Sequence, residues 1–138
     1  MNAALEAEGL VKRYGARTAV HDLSFSVPQG SIYGVLGPNG AGKSSTLRML
    51  VGVLRPSAGR ISVLGGAADR ETMKRVGYLP EHHRFPDYLT AEQVLDFFGA
   101  MSRVDRATRR RRTPELIKLV GLQDAGKKTV RQYSKGMR

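Results

Sequence analysis

The residues whose types and spacing are best suited to a binding site are eight consecutive positions, Gly37-Pro38-Asn39-Gly40-Ala41-Gly42-Lys43-Ser44. They fit the phosphate-binding pattern G-x-x-x-x-G-K-[ST] at every fixed position. Glycines at three of these positions allow consecutive backbone N–H groups to turn toward the oxygens of a phosphate group. In this pattern the lysine reaches the β- and γ-phosphates, and the serine hydroxyl ligates Mg²⁺. The stretch therefore predicts a site for a nucleoside triphosphate and Mg²⁺.

A loop of this kind needs a strand before it and a helix after it. The apolar run 32–36 predicts the strand, and the spacing of residues 45–51 is compatible with a helix that begins near Lys43. The N-terminus of that helix adds unpaired N–H groups and the positive end of the helix dipole. The structural alternative, a glycine-rich turn that simply enters a helix, fits these flanks less well.

The first half of the chain is predicted to consist mainly of strands. Residues 5–11 and 18–27 are interpreted as two strands joined by a turn, and residues 60–66 as another short strand with a glycine turn. In the second of these, Ala19, Leu23, Phe25 and Val27 alternate with polar residues, which predicts that they share one buried face. A short helix is predicted over 69–75, followed by a short strand over 76–79.

The second half is predicted to be mainly helical. Thr90 and Gln93 form a capping box before an apolar face that consists of Val94, Leu95, Phe97 and Phe98. A further helix is predicted from about 106 to 120, interrupted or restarted around Pro114 and terminated at Gly121.

Composition sets limits on the class of protein. A chain of 138 residues with 41% hydrophobic and 25% charged residues suits one globular domain. The absence of cysteine excludes disulfides and thiolate metal sites. The acidic start of the chain and the lack of an apolar run near 18 residues predict a protein that is soluble or at most peripheral to a membrane. A net charge of +11 would suit a nucleic-acid binder, but no helix-turn-helix, zinc-finger or RNA-binding signature accompanies it, so no specific nucleic-acid partner is predicted.

Four stretches, in order along the chain, resemble the nucleotide-binding domain of ATP-binding-cassette (ABC) transporters. Tyr14 falls where this family has an aromatic residue that stacks on adenine, Gly37–Ser45 matches the family's phosphate loop, and 77–81 resembles the segment that contains the family's Q-loop. The sequence Tyr133-Ser134-Lys135-Gly136-Met137 is similar to the family's signature. The resemblance implies the following nucleotide-binding residues: Tyr14, Gly37, Asn39, Gly40, Ala41, Gly42, Lys43, Ser44 and Ser45.

Two positions depart from the family's usual pattern. Glu81 stands where the family usually has a glutamine that contacts Mg²⁺ and the attacking water, so the expected metal ligands are Ser44 and Glu81. In the signature, Lys135 and Met137 replace the usual residues, whereas Ser134 and Gly136 are kept and are expected to reach the nucleotide of a partner domain. Ser134 is also a candidate cap for a following helix.

The resemblance covers residues 1–138 and implies an α/β fold. The expected architecture is a P-loop NTPase core with an N-terminal antiparallel β subdomain and a helical subdomain, incomplete at the C-terminus. Residues 1–80 would form the β subdomain and the core with the phosphate loop, and residues 81–138 the helical subdomain with the signature.

The implied function is that of an ABC-transporter motor subunit. The resemblance implies ATP and Mg²⁺ as cofactors, a second ATP-binding subunit in a homodimer or heterodimer, and a membrane permease as partner on the cytoplasmic face of the cell membrane. The variant motifs are similar to those of subunits that energise ABC-2 type permeases, many of them exporters. The helical segment is expected to contact the permease, with Tyr88, Phe97 and Phe98 as candidates, although core packing is the alternative role for the two phenylalanines.

The family's Walker B aspartate and catalytic glutamate have no counterpart in these 138 residues, because no apolar run ends in Asp-Glu. This chain alone is therefore predicted to bind ATP without hydrolysing it, since placing and deprotonating a water is the main chemical task in hydrolysis. In this family the next strand pairs beside the strand that carries the phosphate loop, so its absence would leave an apolar edge open to association. We therefore also expect a fragment of a longer product or a marginally stable truncation.

Three alternatives from other classes remain at this point. Another P-loop enzyme, such as a small GTPase or a nucleoside kinase, would bind a different nucleotide, although no Asn-Lys-x-Asp motif is present. A non-hydrolytic nucleotide-binding module would bind ATP without turnover. A basic nucleic-acid-binding protein would show steep salt dependence and no requirement for Lys43. ABC proteins that work without a membrane partner, on ribosomes or in DNA repair, are a variant of the main prediction that the helical segment does not favour.

Overall fold

A computed structural model describes residues 2–80, 85–134 and 136–137. The chain divides into two compact units, residues 1–78 and residues 79–138. Each unit has its own buried apolar residues.

The first unit contains a four-stranded antiparallel sheet. Its strands are β1 (Ala3–Tyr14), β2 (Arg17–Pro28), β3 (Ala58–Val63) and β4 (Gly66–Ala67), in the order β2-β1-β3-β4. The last two strands are joined by Leu64 and Gly65, with φ angles of 53° and 79°. Positive φ at both central residues is typical of the type I′ turn, whose twist matches that of a hairpin. The strands predicted at 5–11 and 18–27 are thus present and longer than predicted. The strand predicted over 60–66 begins at Ala58 and ends at Val63, where this turn follows it.

The core of the first unit lies between this sheet and a helix. The helix α1 (Lys43–Leu50) contributes Met49 and Leu50, and the sheet contributes Ala7, Leu10 and Val20. Leu10 and Met49 are completely enclosed. A second helix, α2 (Arg70–Met73), is shorter than predicted, and its cap Asp69 accepts a hydrogen bond from the Thr72 N–H. This bond holds the pKa of Asp69 below its usual value.

The single alternating face predicted for β2 is wrong at Asp22. Leu10 pairs with Leu23 but Lys12 pairs with Val20, so two steps along β1 match three steps along β2. Asp22, with φ of 43°, lies within this bulge. Because an extra residue reverses the side-chain alternation, Val20 is buried before the bulge while Ala19 is only half-buried. After the bulge Leu23, Phe25 and Val27 keep the predicted alternation.

Two predicted strands are absent from the described part of the chain. Residues 31–38 and 77–80 form no regular structure, and Ile32 and Leu36 are almost fully exposed. Tyr33 alone of this run makes a ring contact, stacking on Phe25 at a centroid distance of 5.6 Å. A strand needs a neighbouring backbone to accept its hydrogen bonds. Within the described residues no segment supplies one for either run.

The second unit is helical. It contains α3 (Ala91–Met101), α4 (Arg106–Leu119) and two short 3₁₀ turns, at Gln123–Ala125 and Val130–Gln132. The predicted capping box is confirmed: Thr90 Oγ1 accepts from the Gln93 N–H, and Gln93 Oε1 accepts from the Thr90 N–H at 2.9 Å. Its enclosed side chains come from both helices and from the turns that follow: Val94, Ile117, Ala125, Val130 and Tyr133.

The helix α4 is continuous, so the interruption predicted at Pro114 is wrong. Proline removes one backbone hydrogen bond from a helix. The helix nevertheless continues, with two turns before Pro114 and more than one turn after it. Asp105 caps its start by accepting from the Thr108 N–H, and hydrogen bonding by the side chain and then the N–H of Thr108 lowers the pKa of Asp105. Gly121, with φ of 69°, follows the helix end and confirms the predicted terminator.

An ion pair connects the two long helices. Arg109 Nε lies 2.7 Å from Asp96 Oδ1, and the arginine also donates to the Val104 carbonyl. The absence of a side chain on Gly99 makes room for the stem of Arg109, since a Cβ there would lie 2.7 Å from Arg109 Cδ.

In the described ranges, no helix combines the length and apolar character needed to cross a bilayer.

Candidate functional site

The eight-residue phosphate-loop motif leads directly into α1. Gly37, Gly40 and Gly42 have φ angles of 155°, 86° and 87°, conformations that residues with a Cβ rarely adopt. Inside the loop the Ala41 N–H donates to the Pro38 carbonyl at 3.2 Å. The N–H groups of the first turn of α1 have no acceptor within the helix, so they can donate to an anion placed at the loop.

Gly42 fixes the position of the loop against β2. A Cβ on this residue would overlap the Ala19 carbonyl oxygen and would lie 2.9 Å from Val20 Cγ2. Gly42 is also the residue that caps α1, and its carbonyl accepts the Thr46 N–H at 2.8 Å. The glycine is therefore required both by its positive φ and by the close approach of a strand backbone.

The side chain of Lys43 turns back over the loop. Its Nζ donates to the carbonyls of Gly37 and Pro38 at 2.7 and 2.8 Å. No acidic side chain within the described ranges pairs with it. The ammonium group is thus held beside the backbone that a phosphate chain would contact, and Ser44 follows it in the first turn of the helix.

Tyr14 lies at the end of β1 and is connected to the same helix. Its hydroxyl lies 3.3 Å from Ser45 Oγ, while 47% of the residue is exposed. The ammonium of Lys12 lies 5.3 Å from the ring centroid and donates to the Arg55 carbonyl at 2.7 Å. An aromatic face held in this way is suited to stacking on a base.

Arg17, which the sequence analysis did not single out, also lies at the loop. It begins β2 and is the cross-strand partner of Tyr14. Its Nη2 lies 3.7 Å from the position that a Cβ would take on Gly40. The sequence predicts the turn between Tyr14 and Arg17, but only the packing of β2 beside the loop brings this guanidinium to Gly40.

The remaining site residues of the sequence prediction belong to the second unit. The Ser134 carbonyl accepts the Met137 N–H at 3.1 Å in a turn, and Ser134 and Gly136 are exposed. A helix capped by Ser134 is not among the described residues, so its capping role stays a prediction. Tyr133 is buried and donates to the Ala125 carbonyl at 2.9 Å, and burial raises the pKa of its phenol.

Of the two predicted Mg²⁺ ligands, Ser44 and Glu81, the structure describes only Ser44. Glu81 lies outside the described residues, as does Lys135 of the signature. Among the residues that are described, no three His, Asp or Glu side chains cluster as ligands for a metal ion. The donors at the loop, namely backbone N–H groups, one ammonium and one serine hydroxyl, fit a phosphate chain with a Mg²⁺ that keeps several of its waters.

These features define an α/β protein with a phosphate loop between an antiparallel sheet and a helix. The family model described as "ABC transporter" matches residues 20–138, so the chain belongs to the ABC transporter family. It superposes on a solved ATP-binding subunit of an ABC transporter with a TM-score of 0.82 and 31% identity, over 97% of this chain and 57% of that one. A similar superposition on cbiO1 of Clostridium perfringens, at 22% identity and a TM-score of 0.78, shows the fold alone.

Curated relatives belong to the same family. The uncharacterised ABC transporter ATP-binding protein sll0415 of Synechocystis is 50% identical over 83% of this chain and 33% of its own length. The daunorubicin resistance ATP-binding protein DrrA3 of Streptomyces coeruleorubidus is 42% identical over 99% of this chain and 44% of its own. The Nod factor export ATP-binding protein I of Ralstonia nicotianae is 44% identical over 97% and 43%. The chain thus spans between a third and a half of the length of these relatives.

Proposed function

We propose that this chain is the nucleotide-binding part of the motor subunit of an ABC transporter. The observation that carries the proposal is the loop at the start of α1, with three glycines at positive φ and Lys43 Nζ held on its carbonyls. The proposed nucleotide contacts are those that the sequence predicts, with Tyr14 on adenine and residues 39–45 on the phosphates. Family membership supports ATP as the nucleotide.

Each group has a chemical role in this proposal. The loop and α1 N–H groups neutralise phosphate oxygens, and Lys43 exchanges its carbonyl acceptors for the terminal phosphates. Ser44 supplies a hydroxyl to Mg²⁺, with Glu81 as a further ligand. Residues 1–80 act as the core and 81–138 as the helical subdomain, from which Ser134 and Gly136 contact the nucleotide of a second ATP-binding subunit.

The whole protein would couple ATP binding and hydrolysis to movement of a substrate across a membrane. Its partner is a membrane permease, met at the cytoplasmic face, and the exposed side chains of Tyr88, Phe97 and Phe98 are candidates for that contact. The printed names of relatives that act in drug resistance or in export support an export role. The 138-residue chain binds ATP but turns it over negligibly, because its sequence holds no Asp-Glu pair after an apolar run.

Calorimetric titration with Mg²⁺-ATP tests this function. Lys43→Ala should weaken ATP binding at least about tenfold, because hydrogen bonds to charged groups contribute roughly 1.5–3 kcal/mol. Lys74→Ala is the matched control, since it removes the same charge from the residue after α2, where Lys74 pairs with Glu71. Phosphate release should be equal in the wild type and in Lys43→Ala. Equal ATP affinity in all three proteins would refute the nucleotide site, and wild-type turnover above that of Lys43→Ala would refute the lack of hydrolysis.

A further inference from the structure

The guanidinium of Arg17 is placed like a second cation of the phosphate loop. Arg17 Nη2 lies 3.7 Å from the position of a Cβ on Gly40, which is ordinary van der Waals distance. The loop therefore runs beside the first residues of β2, near Arg17 at Gly40 and near Ala19 at Gly42. The Arg17 guanidinium thus lies on the side of the loop that faces β2, next to Gly40.

Neither cation at the loop has an acidic partner in the described part of the chain. Arg17 forms no ion pair there, and neither does Lys43. The loop itself contains no acidic residue between Gly37 and Ser44. Two cations that converge on one glycine-rich loop without an acidic partner are complementary to a multivalent anion.

The position of Arg17 relative to Tyr14 indicates which part of a nucleotide it would meet. The two residues are cross-strand partners at the end of the β1–β2 hairpin. The Tyr14 ring is connected to α1 through Ser45, whereas the Arg17 guanidinium lies at the loop. A base on the ring would therefore leave the phosphates on the side of Arg17.

We propose that Arg17 binds a phosphate oxygen of the nucleotide and so acts as a binding residue in addition to the loop and Lys43. The inference rests on the proposed nucleotide-binding function. A guanidinium presents donors in a planar fork that matches phosphate oxygens, and an ammonium does not. Arg17 thereby adds affinity for the phosphate chain and none for the nucleoside.

The test compares Arg17→Gln, Arg17→Lys and the control Arg13→Gln. Arg13 lies on the neighbouring strand, is exposed, and loses the same charge when replaced. Arg17→Gln should weaken ATP and ADP about tenfold and leave adenosine unchanged, Arg17→Lys should lie between, and Arg13→Gln should match the wild type. Thermal melting of each variant without nucleotide establishes that the fold is intact.

A measurement on the wild type covers the case in which a variant does not fold. The Nε–H resonance of Arg17 in an NMR spectrum should shift on addition of ATP and stay in place on addition of adenosine. If the wild type binds ATP but Arg17→Gln binds it equally, or if Arg13→Gln loses as much affinity, only the role of Arg17 is refuted. An unshifted Nε–H resonance at saturating ATP has the same meaning. If the wild type does not bind ATP, the proposed function itself is wrong.

Discussion

Replacing Gly42 with alanine should damage the phosphate loop more than the same change at Gly40. The two glycines have nearly equal φ angles, 87° and 86°, so each alanine would carry the same left-handed strain of about 1–2 kcal/mol. Only at Gly42 would the new Cβ overlap the Ala19 carbonyl oxygen and lie 2.9 Å from Val20 Cγ2. Overpacking of this kind typically costs a further ~1–3 kcal/mol. At Gly40 the nearest atom is Arg17 Nη2, at an ordinary contact distance of 3.7 Å.

The assay is urea unfolding of both variants and the wild type, followed by circular dichroism. Hydrogen exchange of the amides in β1 and β2 assigns the transition to the first unit. We expect Gly42→Ala to lower the free energy of unfolding by about 1–3 kcal/mol more than Gly40→Ala does. Equal losses in the two variants would show that the close approach of β2 to the loop does not determine its stability, and the reasoning from that contact would be wrong.

Two further predictions concern the second unit. Thr90→Ala should lower its stability by about 1 kcal/mol, because the capping box with Gln93 is lost, and should shorten α3 at its start; circular dichroism during urea unfolding measures both, and an unchanged midpoint contradicts a role for the cap. Tyr133→Phe should cost about 1 kcal/mol near neutral pH, because it removes the donor to the Ala125 carbonyl. Since burial raises the pKa of Tyr133 in the folded state, its contribution is complete below the ordinary phenol pKa of about 10 and declines as pH rises through the folded value. The stability difference between the wild type and Tyr133→Phe should therefore shrink at alkaline pH, and a difference that stays constant would contradict the role of the buried phenol.

Local patterns in the sequence predicted local structure well. The helix after Lys43, the capping box at Thr90 and the terminator at Gly121 all depend on residues within a few positions of one another. The hairpin of β1 and β2 is of the same kind, since its two strands are joined by two residues. Glycine spacing likewise predicted the phosphate loop, because only glycine adopts the positive φ that the loop requires without strain.

Features that depend on distant parts of the chain were not predicted. The bulge at Asp22 is set by the pairing of β2 with β1, and no local signal marks it. Arg17 was missed because its proximity to Gly40 comes from the packing of β2 beside the loop. The helix α4 continues through Pro114, although proline usually interrupts a helix.

The run 32–36 shows most clearly the difference between what the local sequence predicts and what tertiary structure decides. Its apolar, β-branched and aromatic residues are typical of a buried strand, and the sequence alone predicts one there. In the structure Ile32 and Leu36 are exposed and the run is not paired in the described part of the chain. The sequence by itself determined the phosphate loop, the helix after it and the family of this protein. Whether an apolar run becomes a strand was decided by tertiary structure, because a strand's hydrogen bonds are made to another segment.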